Sequence, residues 1–377
     1  MRDGYRIIDC DRHLVEPPDL WTRYVDRPFR HYIGTLVPTL PNPHGLFAGN
    51  NAWRGVYKRF QARGWDNVGY LADMDRERVD TAVLFSTAGL GFCWFEDLDA
   101  ELCDALCRAY NNWLHDYCSL APERMIGMAM LPLKEPKLAV RELRRAVEEL
   151  GFRGIFWRPN PHFGRVISDP AYYPVLEAAQ DLGARVGYHE GFHGFATPAR
   201  GGDEDGTGFR WLGSTRTDTR SMSHACRHPM EQTAAFVSVA CDGVLDRFPR
   251  LQFAFLESGC GWLPALLERL DLLYDTPLYR ASYGGERRPS EYFARGQRFI
   301  SCEADEEGIA MLGRLVGQDC LMWASDVPHS DSLSYFPNTV AGLLENEAVS
   351  AEFKRKILWD TPARFYRLEP AAVGASV

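Results

Sequence analysis

Eight short β-rich runs alternate with longer amphipathic stretches, and this alternation limits the possible folds more than any other feature of the chain. The runs cover 6–11, 81–85, 125–131, 154–157, 185–188, 251–256, 299–302 and 320–324. Strands separated by helices imply βαβ crossovers and a parallel sheet. Eight is the number a closed barrel needs, so the expected class is α/β, a (β/α)8 TIM barrel. The intervening segments have helical periodicity. In 135–150, Leu138, Ala139, Leu143, Ala146, Val147 and Leu150 recur at spacings of three and four. Segments 171–182 and 263–274 read likewise, and Gly151 and Gly183 sit where helix-ending glycines belong.

A chain of 377 residues fits one decorated barrel, so 1–377 is expected to be a single domain. Three segments exceed the minimal barrel. Segment 17–67 is rich in aromatic residues, Pro and Gly, 191–223 is polar and rich in Gly and Arg, and 278–297 is similar. Loops of this length usually form lids or touch substrate. All three are therefore expected at the C-terminal face, where barrel enzymes carry their sites, with 191–223 as a mobile lid. The aromatic content of 17–67 also suggests an interface.

The net charge of −9 argues against nucleic-acid binding, which needs a basic face. No apolar run approaches the length of a membrane span, and the polar start of the chain does not read as a signal peptide. Ten cysteines without a C-x-x-C, among them Cys103 and Cys107 one helical turn apart, read as reduced packing residues, consistent with a cytoplasmic protein.

Three clusters carry potential chemistry. Asp9, Asp11 and His13 end the first run, and strand alternation puts all three on one face. A carboxylate and an imidazole two residues apart can share a cation, although a strand-end cap would look the same. The second cluster, His189-Glu190-Gly191-Phe192-His193, spells H-E-x-x-H. In proteases that motif needs a helix, whereas here it follows a β-run and contains Gly191. His189 alone remains a metal candidate. In the third cluster Asp326 follows an apolar run and precedes Val327-Pro328, where an aspartate either ligates a metal or forms a turn.

The order and spacing of these clusters resemble a known family. The segments are Asp9-x-Asp11-x-His13-x-x-Glu16-Pro17, Gly154-x-x-x-Arg158-Pro159-Asn160 and Asp169-Pro170-x-Tyr172-Tyr173-Pro174. They continue with Val186-x-x-His189, Gly243-Val244-x-x-Arg247-Phe248-Pro249, Glu257-x-Gly259-x-Gly261-Trp262 and Ser325-Asp326-x-Pro328-His329. Between about 7 and 368 the chain is similar to the amidohydrolase-related branch that includes aminocarboxymuconate semialdehyde decarboxylase and γ-resorcylate decarboxylase.

The resemblance implies a barrel with one divalent metal held by Asp11, His13, His189 and Asp326. Zinc is the first expectation, with manganese, iron or cobalt as alternatives. It also implies a homodimer and a small-molecule or short peptide-like substrate. The decarboxylases carry a histidine after strand 6, and this chain has Glu257 there. That departure favours hydrolysis of an amide, lactone or related carbonyl bond by a metal-activated water, with Asp326, Glu257 and His228 as catalytic groups. Non-oxidative decarboxylation of a small aromatic or unsaturated acid is the second reading. An inactive, metal-binding paralogue that only binds a ligand is the third. His228-Pro229 is expected to begin a helix. Arg158, Glu16 and His224 are candidates for substrate contact or for support of the site, because the planar guanidinium of Arg158 suits a carboxylate.

Overall fold

The computed structural model describes residues 1–17, 19–36, 62–63, 66–87, 89, 98–159, 161, 163–189, 220–329 and 336–368, with backbone alone at 220–224 and 227. Eight parallel strands follow one another in a single sheet: β1 (Ile8–His13), β2 (Thr81–Phe85), β3 (Met125–Ala129), β4 (Gly154–Trp157), β5 (Arg185–Tyr188), β6 (Phe253–Phe255), β7 (Arg298–Cys302) and β8 (Leu321–Trp323). The sheet curls into a nearly closed (β/α)8 barrel. Across the seam the Asp326 amide donates to the Asp11 carbonyl at 3.0 Å, and the His13 amide donates to the Val327 carbonyl at 2.8 Å. Every residue of the eight strands is buried.

The connecting helices are α1 (Asn67–Glu77), α2 (Ala100–Cys118), α3 (Pro136–Glu148), α4 (Tyr173–Leu182), α5 (Arg220–Cys241), α6 (Leu263–Tyr274) and α7 (Ile309–Val316). Their ends follow local chemistry. Asp66 caps α1 by accepting from the Gly69 amide at 2.6 Å, and Asp99 caps α2 by accepting from the amides of Glu101 and Leu102. Each such cap contributes about 1 kcal/mol. Gly183 ends α4 at φ 67°, a left-handed conformation that costs glycine nothing. No described helix is long and apolar enough to cross a membrane. None of the nine described cysteines is in a disulfide, and seven of them are buried.

Three expectations need correction. First, even alternation does not hold along β1. The pairing with β2 slips between Asp9 and Arg12, so three residues of β1 span two of β2. This bulge turns the Asp9 carboxylate towards Arg12 and Ser325, away from the side chains of Asp11 and His13. Second, segment 278–297 does not lie at the mouth. It follows α6 and leads into β7, so it approaches the strand's N-terminal end. Two short helices, Pro277–Arg280 and Pro289–Ala294, order it. The Gly284 amide donates to the Cys241 carbonyl at the end of α5, and the Glu286 amide donates to Asp246. Third, His228-Pro229 does not start a helix but lies inside α5. Segment 17–67 leaves β1 on the C-terminal side and contains helices Leu20–Tyr24 and Arg30–Leu36, while 37–61 lies outside the described residues. The expected lid 191–223 lies outside them as well, apart from the first backbone turn of α5.

Candidate metal centre

The site grows from the C-terminal ends of the strands. Asp11 and His13 belong to β1, and His189, Glu257 and Asp326 follow β5, β6 and β8. Space beneath them depends on Gly187. A Cβ there would lie 3.2 Å from the Phe85 ring, and that ring stacks on His189 with centroids 5.1 Å apart. Glu257 and Asp326 both take left-handed backbone, at φ 53° and 55°. For residues with a Cβ this is strained, of a kind that gathers at functional sites.

The donor atoms crowd together. His13 Nε2 lies 2.9 Å from His189 Nε2, 3.1 Å from Asp326 Oδ1 and 3.6 Å from Asp11 Oδ1. His189 Nε2 lies 3.2 Å from Asp11 Oδ2 and 3.4 Å from Glu257 Oε2. His329 Nδ1 lies 3.0 Å from Asp326 Oδ1, and the His329 ring stacks on His13 at 4.0 Å between centroids. Three overlapping sets emerge that could hold an ion: Asp11–His13–His189, His13–Asp326–His329 and His189–Glu257–Asp326.

Protonation chemistry makes this crowding informative. Burial, aided by the neighbouring imidazoles of His329 and His189, pushes His13 well below the usual histidine value, so the ring is neutral. Nδ1 lies 2.7 Å from the Ser86 carbonyl, which can only accept. The proton therefore sits on Nδ1, and Nε2 turns a lone pair towards His189 and the carboxylates. Both oxygens of Asp11 are buried without a hydrogen-bond donor among the described residues. A buried carboxylate without a hydrogen-bond donor is costly unless a cation joins the group. Separations near 3 Å are those of atoms binding one ion at about 2.1 Å. The donor set fits one divalent metal.

The other expected site residues are distributed as follows. Arg158 is buried one residue past β4. Glu16 is buried, and its Oε1 accepts from the Ser86 hydroxyl and from the amides of Thr87 and Gly89. His228 Nδ1 donates to the Glu257 carbonyl at 2.9 Å. His224 belongs to the first turns of α5, where the side chains lie outside the described residues, as do Glu190, His193 and Asn160. Two further residues join the group. His329 stands in the quoted Ser325-Asp326-x-Pro328-His329 segment, but only the turn after β8 brings its ring against His13. Gln232, one turn beyond His228 on α5, donates from Nε2 to the carbonyls of Tyr188 (3.0 Å) and Leu256 (2.9 Å), which precede His189 and Glu257.

A family model described as amidohydrolase matches residues 8–368. The chain belongs to the amidohydrolase family. It is an enzyme of that superfamily, and its curated relatives narrow the comparison. The 2-amino-3-carboxymuconate-6-semialdehyde decarboxylase of Dictyostelium discoideum is 25% identical over 273 residues, covering 72% of this chain and 69% of that protein. The γ-resorcylate decarboxylase of a Polaromonas species is 25% identical over 281 residues, covering 72% of this chain and 78% of its own. Among solved structures, the 5-carboxyvanillate decarboxylase of Novosphingobium aromaticivorans, with bound manganese and 3-methoxy-4-hydroxy-5-nitrobenzoic acid, superposes with a TM-score of 0.73. It is 20% identical, over 97% of this chain and 98% of that one, and at that identity it speaks for the fold. These relatives correct the expectation of hydrolysis, which rested on Glu257 alone. They are carboxy-lyases, and decarboxylation, the second reading, fits them better.

Proposed function

We propose that this amidohydrolase-family enzyme is a metal-dependent decarboxylase of a small aromatic or unsaturated carboxylic acid. The observation that carries the reading is the buried donor cluster at the strand ends of a chain whose curated relatives are decarboxylases. Asp11, His13, His189 and Asp326 hold the cation. Carboxylate oxygens suit manganese as well as zinc, and a solved neighbour holds manganese, so manganese is the metal to test first. When bound, the ion neutralises the carboxylates and polarises oxygens of the substrate.

The chain's own groups do the rest. Arg158, buried at the end of β4, binds the substrate carboxylate through its planar guanidinium. Asp326 lies 3.0 Å from His329 Nδ1, and that contact fixes its place beside the metal ligands. Glu257 stands at the edge of the cluster with its side chain 9% exposed and serves as the proton donor. Its proton moves to the carbon that bears the carboxylate. The bond between that carbon and the carboxylate breaks, its electrons stay with the carbon skeleton, and CO2 leaves. His228 holds the Glu257 backbone through its carbonyl and acts as a support.

The test is CO2 release from hydroxybenzoates and unsaturated dicarboxylates by manganese-loaded protein. Turnover of amides or lactones, with no CO2 from any acid, would refute the proposal.

A further inference from the structure

Glu16 binds one segment of chain three times, and that segment touches the cluster twice. The carboxylate is 3% exposed. Its Oε1 accepts from the Ser86 hydroxyl, the Thr87 amide at 3.1 Å and the Gly89 amide at 3.3 Å, all from the turn that follows β2. Three hydrogen bonds on one oxygen leave this stretch of chain little freedom. From this turn the Ser86 carbonyl meets His13 Nδ1 at 2.7 Å, and Thr87 Oγ1 meets His329 Nε2 at 3.2 Å. His329 in turn places Nδ1 3.0 Å from Asp326 Oδ1. One carboxylate is thus linked, through a single turn, to donors on both sides of the β1–β8 seam.

We propose that Glu16 is a positioning residue of the metal centre: by fixing Ser86, Thr87 and Gly89 it selects the His13 tautomer that presents Nε2 to the metal, and it braces Asp326 through Thr87 and His329. The inference rests on the reading of the cluster as a metal site, but not on the reaction. Glu16 itself stays off the metal. Replacing it with Ala leaves a hydroxyl and two amides without their acceptor, so the turn must rearrange and the Ser86 carbonyl moves from its place beneath His13. Replacing it with Gln keeps one acceptor oxygen but turns the carboxyl into an amide.

Manganese(II) alone is the probe. Its affinity for the full chain is measured by competition with a chelating dye, for wild type, Glu16→Ala, Glu16→Gln and Thr87→Val, beside urea midpoints for each. Supports of metal ligands typically change affinity by about 10–100-fold. Glu16→Ala is expected to fall in that range, with Glu16→Gln recovering part of the loss and Thr87→Val showing a smaller one. In metal-free protein, histidine ¹⁵N shifts should show His13 protonated at Nδ1 in wild type and as a tautomer mixture in Glu16→Ala. Unchanged manganese affinity in Glu16→Ala, with only a lowered urea midpoint, would overturn the proposal and leave Glu16 as a support of the fold. If Glu16→Ala does not fold, unchanged affinity in both Glu16→Gln and Thr87→Val overturns it equally. A wild-type chain that binds no manganese would overturn the metal reading together with this one, an outcome distinct from unchanged affinity among binding variants.

Discussion

Arg12→Met tests how β1 holds its two faces apart. Arg12 is fully buried between the carboxylates of Glu77, at 2.6 Å, and Asp9, at 3.3 Å. Methionine fills much of the stem's volume but removes the charge, leaving two buried carboxyl groups facing each other without a cation between them. Thr339 still donates to Glu77, and Ser325 to Asp9, so neither carboxylate is stripped bare. Removing one partner of a buried ion pair typically costs about 3–5 kcal/mol. Against a usual total of about 5–15 kcal/mol, that is a large fraction. The loss should depend on pH. Burial already lifts Asp9 from 3.8 to about 7 while Arg12 opposes the shift, so without Arg12 the carboxyl holds its proton more tightly. A carboxyl raised in the folded state contributes stability below its folded value, and that contribution fades as pH rises through about 4 to 7. The Arg12→Met deficit should therefore be larger at pH 8 than at pH 5.5. Urea unfolding followed by circular dichroism measures both. Adding Glu77→Leu should recover part of the loss, since replacing a whole buried pair with apolar side chains is often nearly neutral. A deficit below about 1 kcal/mol at pH 8, or one indifferent to pH, would refute the reasoning.

Two further expectations follow from the site and the core. Glu257→Gln should keep its metal and lose about 10²–10⁴-fold in turnover, as removal of a proton-transferring group does; loss of the metal instead would make Glu257 a ligand. Alkylation at pH 8, mapped by mass spectrometry, should label half-exposed Cys226 well before Cys118 and Cys320, whose thiols burial pushes up to about 12; equal labelling of the native protein would contradict that burial.

Much of this architecture is legible in the sequence, because strand existence depends on local apolar runs. The runs at 81–85, 154–157 and 185–188 match β2, β4 and β5 residue for residue. The convergence of Asp11, His13, His189 and Asp326 follows from their places at strand ends once the barrel is recognised. What fails depends on geometry that no short pattern carries. The slip in β1 that turns Asp9 away from Asp11 is set by pairing with β2. Composition and length do not place 278–297, whereas order along the chain does, since a segment entering a strand approaches the N-terminal face. Pro229 suggests a helix start, yet α5 continues through it, and the contacts of His228 and Gln232 with the ends of β5 and β6 place that stretch of helix beside the site. His329 is visible as a letter in a motif, but its stacking on His13 exists only after the chain turns.

Metal content is the most direct test of the account. Wild type, His13→Ala and His189→Ala are loaded with manganese, dialysed and subjected to elemental analysis, with circular dichroism to confirm folding. Barrel stability resides mainly in the core and at the opposite face, so both variants should fold. The account predicts one manganese per wild-type chain and loss of most of it in each variant. Near-stoichiometric manganese in both folded variants would contradict it.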